Sequence, residues 1–578
     1  MKSEINLTRW QRRIAAARGD EPVDLLLVGG RYIDVFTGCI NEGSVAIFDG
    51  IIVGIGDYKT RQKLDITGKF IAPGFIEGHI HIESSRMIPA RFAETVLPHG
   101  TTTVVADPHE IANVHGIQGI KYMIADTQRT PLDVKFMLPS CVPATSMETS
   151  GANLDAASLK PMFSQPSVLG IAELMNFPGA FSGDRSVLEK AALALDGRPL
   201  DGHCPGLSGN LLSAYLVVGP NTDHECFRLE EAAEKLSKGM RIMIREGSTA
   251  KNMETLLPLV NPVTERRCMF VSDDRRPGDL LNDGHMDSTL RKAVRLGLDP
   301  VTAIRMVTLN TAETFGLTDR GGIRPGWRAD LVVLNGLDDF SVETVLIEGK
   351  IIAEKGENRW KISGSSPQIA GNRLNLPALN KAMFEIIGKS GDVNVIEIIP
   401  DQIVTGRAVV RLESIDDVLQ IDIEQDVLKI AVIERYSGRG GMANGFVKGM
   451  NLKKGAIGST VAHDSHNVIL AGVDSESMLT AANRLKELGG GQVVVDGKTI
   501  LAELPLPIAG LMSDRDVKDL AELEIELINA AGEIGCKLSD PLMALSFLAL
   551  PVIPELKITD KGLVDVNSFR IIPLSHSS

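Results

Sequence analysis

The chain has 578 residues, a length that predicts several domains because single hydrophobic cores stop growing well below this size. Its 60 basic and 74 acidic side chains give a formal net charge of −14, and no run rich in Lys and Arg offsets it. Because such a chain repels a phosphate backbone, the composition argues against a nucleic-acid partner and favours a small-molecule substrate.

The N-terminal segment and the cysteines indicate the cellular compartment. Residues 1–7 are polar and charged, unlike the basic region and apolar stretch of a secretory signal, and no run is long and apolar enough to span a bilayer. The six cysteines form no Cys-x-x-Cys pair, which is typical of reduced thiols. We expect a cytoplasmic protein without a membrane partner.

Short apolar runs separated by Gly and Asp occur on both sides of the central part of the chain. They cover residues 24–30, 43–53, 329–334 and 345–352. This pattern predicts strands joined by tight turns. We expect one small β-domain built from both sides, with residues 1–70 supplying its first part and residues 316–360 its second.

Between these segments, apolar runs typical of strands alternate with helical stretches, as in parallel sheets with helical crossovers. The predicted strands cover residues 75–83, 101–107, 134–140, 168–174, 200–204, 222–225, 241–245 and 268–274. Eight such strands predict a (β/α)8 barrel over residues 71–315. In such a barrel the catalytic groups lie at the C-terminal ends of the strands.

The ends of several predicted strands carry side chains that bind divalent metals. The candidate ligands are His79, His81, Glu173, His203, His224 and Asp273. His79 and His81 are two residues apart, so a strand directs both to one face. Six donors exceed the needs of one tetrahedral ion, so we expect two ions bridged by Glu173.

Two of these assignments have a local alternative. Glu173 could be an N-cap or a salt-bridged acid instead of a ligand. Asp274 competes with Asp273, and if the strand continues it points to the opposite face. We choose Asp273 as the ligand and expect Asp274 to pair with Arg275 or Arg276.

Further polar residues follow the predicted strands and are candidates for the chemistry. His109 and Glu110 follow the second strand, Glu83 stands just past the histidine pair, and Glu246 follows the seventh strand. We predict catalytic roles for His109 and Glu246, and substrate contacts for Glu83, His109 and Glu110. The alternative for such residues is that they only cap helices.

The composition changes after a polar stretch near residues 357–375, which predicts a separate α/β domain over residues 375–578. Apolar runs at 428–433 and 491–496 predict strands, and residues 475–488 have the spacing of an amphipathic helix. In this domain, His463 and His466 lie in a polar run between apolar segments. We predict substrate contacts for both, against the alternative of an internally hydrogen-bonded turn.

Several stretches resemble one known superfamily. They are residues 72–85, 106–114, 201–203 and 272–275, and residues 461–467 for the C-terminal domain. Through them, nearly the whole chain resembles the amidohydrolase superfamily and, within it, the adenine deaminase branch. The resemblance implies a metal-dependent, TIM-like barrel with a flanking β-domain and a C-terminal α/β domain. It also implies two divalent ions, manganese first, with iron and then zinc as alternatives.

The resemblance also implies a reaction, the hydrolytic deamination of adenine to hypoxanthine and ammonia in purine salvage. A hydroxide bridging the two metals would attack C6, and Asp273 would take its proton. Glu173 stands where much of the superfamily has a carbamylated lysine, which favours the deaminase branch over a cyclic-amide hydrolase of the hydantoinase or dihydroorotase type. A barrel that serves only as a scaffold is the other alternative. We expect a homodimer or homotetramer.

Overall fold

The structure is a computed structural model and describes residues 7–369, 373–400 and 402–576. Residues 1–6, part of the segment without a predicted secretory signal, lie outside the described residues. The first elements are α1 (Leu7–Ala17), β1 (Val23–Val28), β2 (Arg31–Asp34), β3 (Cys39–Glu42), β4 (Val45–Phe48), β5 (Ile51–Ile55), β6 (Thr60–Asp65) and β7 (Phe70–Pro73). Strands β5, β4, β1 and β6 lie side by side in one sheet.

The central part of the chain alternates strands and helices. The strands are β8 (Phe75–Ile80), β9 (Thr101–Ala106), β10 (Asp133–Leu138), β11 (Val168–Leu174), β12 (Leu200–Gly202), β13 (Thr222–Asp223), β14 (Arg241–Arg245) and β15 (Cys268–Val271). The helices are α2 (Pro89–Val96), α3 (His109–His115), α4 (Ile117–Thr127), α5 (Ala156–Leu159), α6 (Phe177–Ser182), α7 (Arg185–Ala191), α8 (Gly209–Val218), α9 (Leu229–Ser237), α10 (Met253–Leu256), α11 (Pro277–Asn282), α12 (Met286–Arg295), α13 (Pro300–Met306) and α14 (Leu309–Thr314).

These strands form the predicted barrel. Strands β8 to β12 form one parallel sheet and β13 to β15 a second, in chain order. The sheets meet where Asn221 N donates to Leu200 O at 3.0 Å, and where Asp273 N donates to His79 O at 3.0 Å. Apolar side chains such as Met137 and Met243 fill the interior. The polar groups are therefore left to the C-terminal strand ends.

Six of the predicted barrel strands end earlier than expected, β8 and β15 among them. Strand β8 stops at Ile80 and a 3-10 turn covers Ile82–Ser85, while β15 stops at Val271. Asp273 has a φ of 62°, a left-handed conformation that is rare outside glycine and breaks the extended chain. The last residues of both predicted strands turn toward the barrel mouth instead of continuing the ladder.

The β-domain is built from both sides of the barrel, as predicted. Its second part is β16 (Leu331–Leu334), β17 (Val342–Ile347), β18 (Lys350–Glu354) and β19 (Glu357–Asn358). Strand β16 pairs with β7, with Leu331 opposite Pro73, in a sheet of order β19-β18-β17-β16-β7-β2-β3. Residues far apart in sequence thus form one sheet beneath the barrel. Among the described residues, no helix has the length and apolar character needed to cross a bilayer.

The C-terminal part is an α/β domain, also as predicted. Its elements are β20 (Gly391–Ile398), β21 (Thr405–Leu412), β22 (Ser414–Ile415), β23 (Val418–Leu419), β24 (Leu428–Ile433), β25 (Met442–Lys448), β26 (Ala456–Ser459), β27 (Val468–Gly472), α15 (Ser475–Leu488), β28 (Gly491–Asp496), β29 (Thr499–Pro505), α16 (Val517–Glu533), α17 (Pro541–Phe547), β30 (Leu556–Thr559), β31 (Gly562–Asp565) and β32 (Arg570–Ile572). The main sheet has the order β21-β20-β25-β24-β27-β26-β28-β29. Met478 and Leu485 of α15 are buried against it.

The C-terminal domain packs onto the mouth of the barrel. Ser513 N donates to Arg86 O at 2.8 Å and Ile88 N donates to Ser513 O at 3.1 Å, just after β8. Arg276 Nη1 donates to Asp540 Oδ2 at 2.8 Å, just after β15, the strand next to β8. The pocket above the strand ends therefore has walls from both domains. The four domain boundaries expected from the sequence stay predictions.

Candidate active site

The C-terminal ends of β8, β11 and β15 bring four candidate ligands together. His81 Nε2 lies 3.1 Å from Glu173 Oε1 and 3.1 Å from Asp273 Oδ1. His79 Nε2 lies 3.3 Å from each of the same two oxygens. These atoms lie close enough together to hold one ion.

A second group shares Glu173 with the first. His203 Nδ1 lies 2.7 Å from Glu173 Oε2, and His224 Nε2 lies 3.3 Å from the same oxygen. One oxygen of Glu173 therefore faces each group. All six ligands predicted from the sequence are in contact with this carboxylate or with its immediate neighbours.

The donor set fits divalent metal ions. Nε2 of His79, Nε2 of His203 and Oε1 of Glu173 are buried without a hydrogen-bond partner, and an unpaired buried polar atom is costly. Burial opposes a charged imidazole, yet the Asp273 and Glu173 carboxylates outweigh it and raise the pKa of His79 to about 10. Imidazole and carboxylate donors in this arrangement are those of a divalent metal site.

Neighbouring groups orient the ligands. His81 Nδ1 lies 3.0 Å from Asp107 O, a bond that leaves Nε2 free to bind a metal. Arg245 Nη1 donates to Asp273 Oδ2 at 2.8 Å, so Oδ1 is the oxygen that faces the imidazoles. Burial opposes ionisation, but Arg245 holds the pKa of Asp273 well below its usual value.

The C-terminal domain supplies the roof of the pocket. The apolar lining of the pocket comes from Met175 of the barrel and from Ile403, Phe547, Leu550 and Ile553 of the C-terminal domain. His463 and Asp464 add polar groups from the same domain, opposite His109 and Glu110 of the barrel. The cavity thus combines an apolar roof with convergent ionisable groups at the strand ends.

Glu110 joins the two domains through histidines. His463 Nδ1 lies 2.7 Å from Glu110 Oε1, and His466 Nε2 donates to Glu110 Oε2. His466 Nδ1 accepts from Ala462 N at 3.2 Å, so Nε2 carries the proton of that ring. Burial lowers the pKa of His466 to about 4, which keeps it neutral. His466 does not line the pocket and supports the loop that holds His463.

Comparisons with known proteins agree with this geometry. Residues 70–352 match the amidohydrolase family, and residues 402–570 match the adenine deaminase C-terminal domain. The chain is 48% identical over 568 residues to an adenine deaminase of Desulfatibacillum aliphaticivorans, covering 97% of this chain and 99% of the relative. It is 45% identical to an adenine deaminase of Dehalococcoides mccartyi, covering 98% and 99%. The chain belongs to the adenine deaminase family.

The family predicted from the sequence is therefore confirmed. Among solved structures, guanine deaminase of E. coli is 17% identical with a TM-score of 0.43, covering 57% of this chain and 99% of that chain. The close sequence relatives match along the full length, including the C-terminal domain that roofs the pocket.

Glu246, predicted to act at the barrel mouth, lies outside the pocket. Glu246 Oε1 accepts from Lys292 Nζ of α12 at 2.7 Å, and Glu246 does not line the pocket. The reason is strand alternation, because Arg245 points into the mouth and the next residue points away. The catalytic role of Glu246 stays a prediction, and in this structure its side chain contacts Lys292 and not the pocket.

Glu83 and Asp274 make contacts that the sequence did not predict. Glu83 Oε1 accepts from Ile111 N at 3.2 Å, so Glu83 caps α3 and lies behind the pocket lining. Burial raises its pKa to about 7. Asp274 accepts a hydrogen bond from Ser84 Oγ and does not pair with Arg275 or Arg276. The left-handed turn at Asp273 redirects the chain, so the alternation expected of a continued strand does not apply.

Several residues that line the pocket were not predicted from the sequence. They are Glu225, Arg245, Asp464 and Phe547. Glu225 and Arg245 follow or end predicted strands, the same signal that identified the ligands. Asp464 stands between the two histidines that were singled out. For Phe547, on α17, the sequence offered no signal, because only the packing of the two domains brings it to the mouth.

Proposed function

We propose that this chain catalyses the hydrolytic deamination of adenine to hypoxanthine and ammonia. The observation that carries the proposal is the Glu173 carboxylate, which faces one group of donors with each oxygen at the mouth of the barrel. A glutamate at this place distinguishes the site from one built on a carbamylated lysine. The relatives named adenine deaminase match along nearly the whole chain.

Two metal ions are part of the proposal. His79, His81, Glu173 and Asp273 would hold one, and Glu173, His203 and His224 the other. When bound, the ions would acidify water and so supply hydroxide near neutral pH. Nitrogen and oxygen donors without a thiolate accept manganese, iron or zinc. We propose manganese, with iron as the next choice.

Asp273 is positioned to accept a proton beside the reacting carbon. Its Oδ2 is held by Arg245 and its Oδ1 lies among the imidazoles, so the carboxylate has one fixed orientation. Because Arg245 keeps its pKa low, Asp273 is ionised and able to act as a base at neutral pH.

His109 is positioned to donate protons to the purine. Addition at C6 requires a proton on the adjacent ring nitrogen, and loss of the amine as ammonia requires another on the departing nitrogen. His109 Nδ1 lies 2.9 Å from Asp107 Oδ2, and Nε2 lies 3.3 Å from Glu110 Oε1. Burial opposes its charge, but Asp107 and Glu110 outweigh it and raise the pKa of His109, so the ring holds a proton.

The test begins with protein stripped of metal by a chelator and then reloaded with manganese. Ammonia release from adenine should appear only after reloading, and His79→Ala should abolish it because one ion loses a ligand. His99→Ala is the matched control, since His99 pairs with Asp287 outside the pocket. Intact adenine together with hydrolysis of cyclic amides would contradict the proposal and favour the alternative hydrolase.

The remaining expectations stay predictions. They are a homodimer or homotetramer and a cytoplasmic location. Sedimentation of the purified chain tests the first, and fractionation of the source cells tests the second.

A further inference from the structure

The C-terminal domain brings two unpaired polar atoms to the pocket. They are Nε2 of His463 and Oδ2 of Asp464, both buried and without a hydrogen-bond partner. The two residues are 4% and 2% exposed and stand on the loop between β26 and β27. Neither belongs to the group of ligands around Glu173. Buried polar atoms are rarely left unpaired, so these two indicate a bound molecule.

The orientation of His463 is fixed from two sides. Its Nδ1 faces Glu110 Oε1 at 2.7 Å, which leaves Nε2 as the nitrogen available to a ligand. Its ring stacks on Phe547, with centroids 4.7 Å apart and planes 16° from parallel. Because the His463 side chain is already fixed, it loses little conformational entropy when a ligand binds to Nε2.

The imidazole ring of His109 separates Asp464 from the proposed metal centre. His109 spans the gap, with Nδ1 3.7 Å from Glu173 Oε1 and Nε2 3.9 Å from Asp464 Oδ1. A flat bicyclic base with its reacting carbon near Glu173 would therefore reach Asp464 with its far edge. The apolar roof around Phe547 covers the face of such a ring.

The chemistry of that far edge matches the two atoms. The five-membered ring of a free purine presents one N–H and one bare nitrogen on either side of a carbon. A carboxylate oxygen accepts from the N–H. Because His463 Nδ1 donates to Glu110, Nε2 can donate to the bare nitrogen only when the ring is protonated. Burial opposes that charge, but Glu110 outweighs it and raises the pKa of His463. Asp464 and His463 supply this pair of groups side by side.

Building on the deaminase function proposed above, we propose that Asp464 accepts the N–H of the five-membered ring and that His463 binds the neighbouring bare nitrogen. The C-terminal domain is then the part of the molecule that recognises the base. Glu110 and His466 act as positioning residues, because each oxygen of Glu110 is bonded to one of the two histidines and so holds the loop that carries His463. Ser465 adds a hydrogen bond to Glu148 of the barrel.

The test compares two ligands in the full chain loaded with manganese. Adenine is the substrate, and 9-methyladenine, which has no N–H on the five-membered ring, is measured as a competitive inhibitor. Asp464→Asn should raise the KM for adenine at least about tenfold, since a hydrogen bond to a charged group is lost. It should leave the inhibition constant of 9-methyladenine within about twofold, because that ligand has no N–H to lose.

Asp560→Asn is the matched control. Asp560 lies at the same domain interface, where its Oδ1 accepts from Thr149 N at 2.9 Å, and it does not line the pocket. This variant should leave both constants unchanged. An Asp464→Asn protein with an unchanged KM for adenine, or with equal losses for both ligands, would overturn the inference. A wild-type protein that does not deaminate adenine would instead overturn the proposed function.

Discussion

At the scale of single residues, the direction in which a side chain leaves its strand separates the pocket from its surroundings. Arg245 and Glu246 are consecutive at the end of β14 and face opposite sides. Arg245 donates to Asp273 Oδ2 at 2.8 Å, whereas Glu246 accepts from Lys292 Nζ at 2.7 Å. Arg245 therefore holds the candidate ligand Asp273, and Glu246 pairs with helix α12.

We predict that Glu246→Gln keeps the kcat/KM for adenine within about twofold of wild type, because its partner lies outside the pocket. Glu225→Gln is the comparison. Glu225 Oε2 accepts from Arg245 Nη2 at 3.2 Å, and loosening Arg245 frees Asp273. Initial rates with measured metal content should show a loss of at least about tenfold for this second variant. A large loss in the folded Glu246 variant would contradict the assignment.

At the scale of elements, helix α9 ties together the two strand ends that carry His203 and His224. Lys235 Nζ donates to Cys204 O and to Asp223 Oδ2, both at 2.7 Å. Asp223 Oδ1 in turn accepts from Cys204 N at 3.0 Å. Cys204 and Asp223 are the chain neighbours of the two histidines. A buried lysine therefore fixes the backbone on which both candidate ligands stand.

We predict that Lys235→Met lowers the free energy of unfolding by roughly 3–5 kcal/mol, because Asp223 and Glu231 stay buried without their cation. Lys238→Met, at the residue that directly follows α9, is the control. Its partner Glu234 lies 3.0 Å away and both side chains are partly exposed, so the loss should be at most about 0.5 kcal/mol. Urea unfolding measures both, and equal losses would contradict the argument.

At the scale of the whole molecule, the barrel and the C-terminal domain share buried ionisable groups. Glu148 of the barrel accepts hydrogen bonds from Ser465 of the C-terminal domain and, at 2.9 Å, from Thr145 N. Burial raises the pKa of Glu148 from 4.5 to about 8, although Ser465 opposes the shift. The folded protein therefore keeps a proton on Glu148 that the unfolded chain has lost at neutral pH.

This difference predicts a pH dependence of stability. The contribution of Glu148 is fully present below pH 4.5 and is lost as the pH rises to about 8, by up to about 1.4 kcal/mol per pH unit. Glu148→Gln removes this titration, so its stability relative to wild type should increase from pH 5 to pH 8. Glu357→Gln, at an exposed position, should keep the wild-type slope. Parallel unfolding profiles for wild type and Glu148→Gln would contradict the prediction.

The interiors of elements were easier to predict than their ends. The bounds of β11, β14, β24, β28 and α15 coincide with the predicted ranges, because apolar runs bounded by polar residues match a strand or helix period. The predicted ends of β8, β12, β13 and β15 extend too far. Their last residues bend toward the pocket, where contacts with other strands outweigh local propensity.

The sequence by itself determined the α/β architecture, the family and the six donors at the strand ends. Periodicity and residue chemistry are local properties, so they can be read along the chain. Only the tertiary structure decided that Asp273 and not Asp274 faces the donors, that Glu246 turns away, and that Asp464 reaches the pocket. These outcomes depend on the left-handed conformation of Asp273 and on contacts between the barrel and the C-terminal domain. Residues in such contacts lie more than 300 positions apart in sequence. No local pattern encodes a contact made only when distant segments meet.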